Sequence, residues 1–138
     1  MVAGYQKTFK GVIDFSNFLY KATRIKPRIA NLLARYYYTR NKHLLQNWLV
    51  QGSGADILLE AMYEVWQYIK DKPHWQFLIN VHDEIGFTCD DIPEDQMDRE
   101  AKEIQELMTY HMTAVSITVD IEYTTTTWAN KKAWKGHV

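Results

Sequence analysis

Apolar residues recur along the chain with two periods, near 3.6 and near 2, and each period predicts a type of element. Tyr5 to Phe15 predicts a short hairpin or a loop, with Gly11 as the turn between Tyr5–Phe9 and Val12–Phe15. Ser16 to Lys26 is basic and predicts irregular chain. Pro27 sits near the start of a helical pattern, where proline is tolerated. Ile29, Leu32, Leu33 and Tyr36 follow at helical spacing, and that helix is expected to run to about Gln46. Gln51-Gly52-Ser53-Gly54 then interrupts the pattern, and Ser53 followed by Asp56 predicts a new helix start. The new helix buries Ile57, Leu58, Ala61, Met62, Val65 and Ile69, turns Glu60, Glu64 and Lys70 outward, and ends at Asp71-Lys72-Pro73.

Trp75 to Val81 and Ile85 to Cys89 are apolar, strand-like runs separated by His82-Asp83-Glu84. An acidic turn from Asp90 to Pro93 leads into a third helix whose apolar side carries Met97, Ala101, Ile104, Met108 and His111. Ile117, Val119, Ile121 and Tyr123 alternate with Thr118, Asp120 and Glu122, which predicts one half-buried strand. The tail from Thr124 carries Trp128 and Trp134, so part of it is expected to dock. The order predicts an α+β fold, an antiparallel sheet packed against helices, in one domain.

Composition narrows the class. At 138 residues the chain is one domain's worth, and 46% hydrophobic with 24% charged residues excludes disordered and low-complexity classes. Cys89 is the single cysteine, so no internal disulfide forms and a reducing location, the cytoplasm, is expected. No apolar run approaches the length of a membrane span, and residues 1–8 carry no apolar signal region. The net charge of −1 hides a division. Residues 1–50 hold nine Lys or Arg against one acid, Asp14, a net +8, and the remainder is net −9. A basic segment of that kind suits an anionic polymer, or forms an unevenly charged surface with no partner. The Tyr36-Tyr37-Tyr38 triplet is read as core with an amphipathic rim, with base stacking as the alternative.

The acids between the two apolar runs carry the clearest chemical signal. Tight strand connections favour Asn-Gly or Asp-Gly because the turn needs positive φ. Here the connection is His82-Asp83-Glu84, with no glycine. A carboxylate at the end of rigid strands is well placed to hold Mg²⁺, a hard cation that prefers oxygen ligands. The other histidines, His43, His74, His111 and His137, show no ligand spacing, which argues against a His-Asp phosphohydrolase or a zinc site. Gln51-Gly52-Ser53-Gly54 lacks the Lys-Ser/Thr ending of a phosphate loop, and Cys89 in a strand-like run reads as a buried thiol.

Asn47-Trp48-Leu49-Val50-Gln51-Gly52-Ser53-Gly54-Ala55-Asp56-Ile57 precedes Val81-His82-Asp83-Glu84 by one helix and a loop. This pairing resembles the C-terminal palm portion of family A DNA polymerases, the DNA polymerase I type, with a phage-like flavour. Thr127-Trp128-Ala129 is similar to that family's C-terminal tryptophan segment. The resemblance covers most of the chain from about Gly4. It implies that Asp83 is one of two palm aspartates holding catalytic magnesium, with Glu84 a lesser neighbour. It implies that His82 lies near the primer-terminal phosphate and that Asn47 and Gln51 contact the primer–template duplex. Arg40 and His43 would join the DNA contacts, although His43 stands where the family more often has Arg.

The resemblance also implies what is missing. The first palm motif with the other aspartate, the fingers helix and the thumb have no counterpart, and Asp14-Phe15-Ser16 is only a superficial echo of that motif. The expectation is therefore one part of a DNA-directed DNA polymerase, inactive alone: a split subunit completed by another chain, or a fragment from an interrupted gene or an excised domain. Its partners would be primer–template DNA and deoxynucleoside triphosphates, and exposed apolar surface where a palm strand is missing would favour a homodimer in isolation. The alternative is a non-catalytic nucleic-acid-binding module with a palm-like fold. A small metal-dependent phosphodiesterase is more distant, because too few ligands are present.

Overall fold

The computed structural model describes residues 8–39, 41–111 and 115–135, with the side chains of Lys42 and His43 also outside the description. The described residues form α+β structure in two compact units, residues 1–56 and 57–138.

The first unit opens with helix α1 (Lys10–Ile25). The expected hairpin over Tyr5 to Phe15 and the irregular stretch over Ser16 to Lys26 are both corrected by it, residues 5–7 lying outside the described part. Gly11 between two short runs reads locally as a turn, but Leu19 and Thr23 are buried four residues apart on one helical face. Thr23 Oγ1 donates to the Leu19 carbonyl at 3.1 Å, which satisfies the hydroxyl inside the packed face. A Cβ at Gly11 would meet open space, so that glycine forces no turn.

The helix expected from Ile29 to Gln46 is replaced by a hairpin and the start of another helix. Strands β1 (Arg28–Ala30) and β2 (Tyr36–Tyr38) pair antiparallel with Arg28 opposite Tyr38. Asn31 is the reason. Its Oδ1 accepts from the Leu33 and Arg35 amides at 3.2 and 2.8 Å, and Ala34 takes a left-handed φ of 62°. A side chain that captures backbone amides in this way builds a turn where periodicity alone reads helix. Asn31 is buried, and its Nδ2 donates to Asp56 Oδ2 at 2.6 Å, while Arg35 forms an ion pair with Oδ1 of the same buried acid.

Helix α2 (Lys42–Ile69) runs 28 residues without a break. The interruption expected at Gln51 to Gly54 does not occur. Gly52 is there for space, since a Cβ would collide with the Tyr37 phenol ring. Ser53 does not cap a helix: its Oγ donates to the Leu49 carbonyl at 2.6 Å and accepts from the Leu32 amide at 3.1 Å. The residues that read as an interruption are thus part of the face on which the β1–β2 hairpin rests.

The second unit takes its core from Val65 and Ile69 of α2 and Ile104 of α3 (Glu94–Met108), with Trp75, Phe87, Leu107 and Met108 packed against them. Strands β3 (Trp75–Val81) and β4 (Glu84–Cys89) form the expected hairpin, with a register shift between Phe77 and Ile79. His111 lies beyond α3, in β5 (Tyr110–His111), which pairs with β6 (Ser116–Ile117). The single strand expected over Ile117 to Tyr123 is also corrected. Only Ser116–Ile117 and β7 (Glu122–Tyr123) are strands, and β7 pairs with β8 (Lys132–Ala133). Between them Gln105 of α3 donates to the Val119 carbonyl at 2.8 Å, so the alternating pattern follows an anchored extended chain instead of a ladder. The expected sheet is therefore realised, among the described residues, as four separate two-stranded pairs.

Candidate active site

The β3–β4 hairpin closes on a two-residue turn, with Val81 opposite Glu84 and His82-Asp83 between them. His82 adopts φ 56°, a left-handed conformation that costs a non-glycine residue about 1 kcal/mol. His82, Asp83 and Glu84 are all exposed. No side-chain hydrogen bond or ion pair reaches Asp83 from the described residues, so its carboxylate is a bare pair of hard oxygen donors. Among the described residues no group of three or more His, Cys, Asp or Glu gathers to hold a metal.

Glu84 is differently placed. Lys131 Nζ lies 3.2 and 3.1 Å from its two carboxylate oxygens and 2.9 Å from Glu122 Oε2. The hydrogen bonds to Glu122 and then to Glu84 raise the Lys131 pKa above its ordinary value. Lys131 is delivered by a 3₁₀ turn, Trp128–Asn130, and its Nζ also sits 4.6 Å from the centre of the Trp128 ring. Gly86 makes room for this: a Cβ there would stand 3.1 Å from Ile79 Cγ2 and 3.3 Å from the Trp128 ring. Trp128, Leu78, Ile79, Val81 and Glu84 border an open apolar hollow of about 500 Å³. The tail therefore docks as expected, but sequence reasoning missed Lys131. The only signal was the charge of a lysine three residues after a tryptophan already singled out.

Asn47 and Gln51 lie four residues apart on α2, both exposed, and so share one helical face. The opposite side is fixed by packing. Leu45 is buried, Trp48 meets Tyr37 with ring centres 5.7 Å apart, and Gly52 lies under Tyr37. Tyr37 is thus half-buried against α2, while Tyr36 and Tyr38 are exposed and Arg28 stacks over Tyr36 at 5.1 Å. His43 is in the first turn of α2 and Arg40 precedes it; Arg40 and the His43 side chain lie outside the described residues. Cys89 is partly buried, and burial together with the nearby Glu100 and Asp90 charges pushes its thiol up to about 11, as suits an inert thiol. No helix among the described residues is long and apolar enough to cross a membrane.

No curated protein matches the chain. Among solved structures it is similar to the POL domain of Pol1 from M. smegmatis, in complex with DNA primer-template and dNTP, at 28% identity and a TM-score of 0.63. The similarity covers 75% of this chain and 20% of that one, so the chain spans about a fifth of the length of the polymerase it matches. The family model for DNA polymerase family A matches residues 1–130, which takes in the amide-bearing face of α2, the Asp83 turn and Trp128. The chain belongs to DNA polymerase family A.

Proposed function

We propose that this chain is the C-terminal palm portion of a DNA-directed DNA polymerase and contributes one metal-binding aspartate and several primer–template contacts to nucleotidyl transfer. In that reaction the primer 3′ oxygen attacks the α-phosphorus of a deoxynucleoside triphosphate and pyrophosphate leaves. Asp83 is the residue that would hold a magnesium ion, and the observation that supports this best is its exposed, unpartnered carboxylate at the tip of a strained hairpin within the matched stretch. The donor chemistry fits, because Mg²⁺ prefers carboxylate oxygens and keeps open positions for water and phosphate. When bound, Mg²⁺ lowers the charge cost at the attacking and leaving oxygens.

The chain's own side chains would do the positioning. Asn47 and Gln51 offer amide donors one helical turn apart, suited to the purine N3 and pyrimidine O2 acceptors that both base-pair types present in the minor groove. Donors of that kind test pair shape without reading sequence. His82, held by its left-handed φ beside Asp83, is assigned to the primer-terminal phosphate. Arg40 and His43 are assigned to the DNA backbone. Glu84 is a minor contributor, since Lys131 engages both of its oxygens.

One aspartate cannot hold two metal ions and a triphosphate, so the second must come from elsewhere in the polymerase, on another chain or on further length of this one. The similarity to a fifth of a full polymerase domain supports that division. Phe77, Leu78, Ile79 and Val81 of β3 are exposed, which suits pairing with a further strand or a second copy. The test is primer extension with Mg²⁺ by this chain alone and together with a chain supplying the fingers and first palm motif. Extension is expected only from the mixture and is lost in Asp83→Ala. Activity of the lone chain would contradict the division, and DNA binding with no Asp83-dependent extension would leave a non-catalytic nucleic-acid-binding module.

A further inference from the structure

We infer that Lys131 is a positioning residue that withdraws Glu84 from cation binding, so that the hairpin turn presents Asp83 as its single free carboxylate. The inference rests on the reading of Asp83 as the metal-holding side chain. Its basis is geometric. Asp83 and Glu84 are adjacent acids at an exposed turn, yet they have opposite surroundings. Asp83 has no side-chain partner among the described residues. Glu84 has both oxygens within 3.2 Å of the Lys131 ammonium.

Three features make this more than a passing surface pair. Lys131 is shared between two acids, since Glu122 Oε2 lies 2.9 Å from the same nitrogen. The ammonium lies over the Trp128 ring, 4.6 Å from its centre, which limits its freedom. Trp128 is in turn seated on the hairpin through the missing Cβ of Gly86. The ammonium is therefore carried to Glu84 by a docked segment and does not depend on chance encounter of two long side chains.

The consequence is a matter of charge and ligand number. With Lys131 in place the local set of Asp83, Glu84, Glu122 and Lys131 has net charge −2, and Glu84 already has a cation. Without it the set is −3, and Glu84 becomes free to join Asp83 around a divalent ion. A small hard cation would then be held by two adjacent carboxylates instead of one, at the expense of positions that phosphate oxygens would use. The lysine thus sets how weakly and how openly the turn holds its metal.

Mn²⁺ titration of the 138-residue chain at low salt, followed by the paramagnetic resonance signal of free Mn²⁺, tests this. Lys131→Met is expected to bind Mn²⁺ about three- to ten-fold more tightly, the scale expected for losing one nearby positive charge. Lys131→Arg should behave as the wild type, and Glu84→Gln added to Lys131→Met should return the affinity to near the wild-type value. Lys131→Gln, which removes the charge but keeps a polar end, replaces the methionine variant if the latter unfolds. Equal affinity in the wild type and the methionine or glutamine variant overturns the inference, as does a gain that survives Glu84→Gln. Asp83→Asn against the wild type reads the proposed function separately, so failure there is distinct from failure of the Lys131–Glu84 comparison.

Discussion

Glu100 and Asp83 are two carboxylates of the same compact unit, one at each end of the β3 strand's surroundings, and they differ in every physical respect. Glu100 is 5% exposed and fully engaged. His74 Nε2 and Trp75 Nε1 reach its Oε2 at 2.8 and 2.6 Å, and Gln96 and Lys72 approach Oε1 at 3.1 and 3.4 Å. Asp83 is exposed and stands at a turn whose neighbouring residue is strained. The first carboxylate ties the start of β3 to α3, and its oxygens have no capacity left for a ligand. The second has no side-chain partner among the described residues, and toward them it keeps its acceptor capacity. In this molecule the acid that matters for stability and the acid that suits chemistry are thus separated by what surrounds them.

The largest effect expected from breaking that comparison is at Glu100. Removing a buried, multiply bonded carboxylate leaves donors and Lys72 uncompensated, so Glu100→Ala should lose about 3 kcal/mol of unfolding free energy, read from urea denaturation. The pH dependence follows in sign. Burial pushes the Glu100 pKa up, but the hydrogen bonds from His74, Trp75 and Gln96 and the Lys72 charge together bring it down to about 2. Because the unfolded chain binds this proton first, near pH 4.5, the stabilisation is complete above that pH and is lost as pH falls towards 2. The gap in melting temperature between wild type and Glu100→Gln should accordingly narrow across that window and stay constant above it.

A smaller effect is expected at the turn. His82→Gly relieves the left-handed backbone and should leave stability unchanged or raise it by up to about 1 kcal/mol in the same denaturation experiment. A clear loss would mean that the His82 side chain supports the hairpin. Smallest of all, Asp83→Asn should change stability by less than about 0.5 kcal/mol, since no described contact depends on it. Together these variants would show whether fold and chemistry are as separable as the two carboxylates suggest.

The second unit was the more legible half. The second half of α2 and α3 are legible by their helical spacing, because each buries one face, and the β3–β4 hairpin is legible as two apolar runs around His82-Asp83-Glu84. The His82-Asp83 turn was found by its lack of glycine, and the positive φ that such a turn requires is present at His82. The first unit was misread because its decisive contacts are polar and long-range in sequence. Asn31 and Asp56 are 25 residues apart and bury each other. Local spacing turned one into a helical position and the other into part of a helix start. Gly52 looked like a breaker because its reason, the Tyr37 ring, comes from a different element. The Lys131–Glu84 pair spans 47 residues and left no periodic trace.

The most direct test of the account is a Mn²⁺ titration of the ¹⁵N-labelled chain followed amide by amide. Broadening is expected first at residues 82–85, and Asp83→Asn should abolish it while the remaining spectrum stays folded. Broadening that begins elsewhere, or that persists unchanged in Asp83→Asn, would contradict the assignment of this turn as the metal-holding part of a polymerase site.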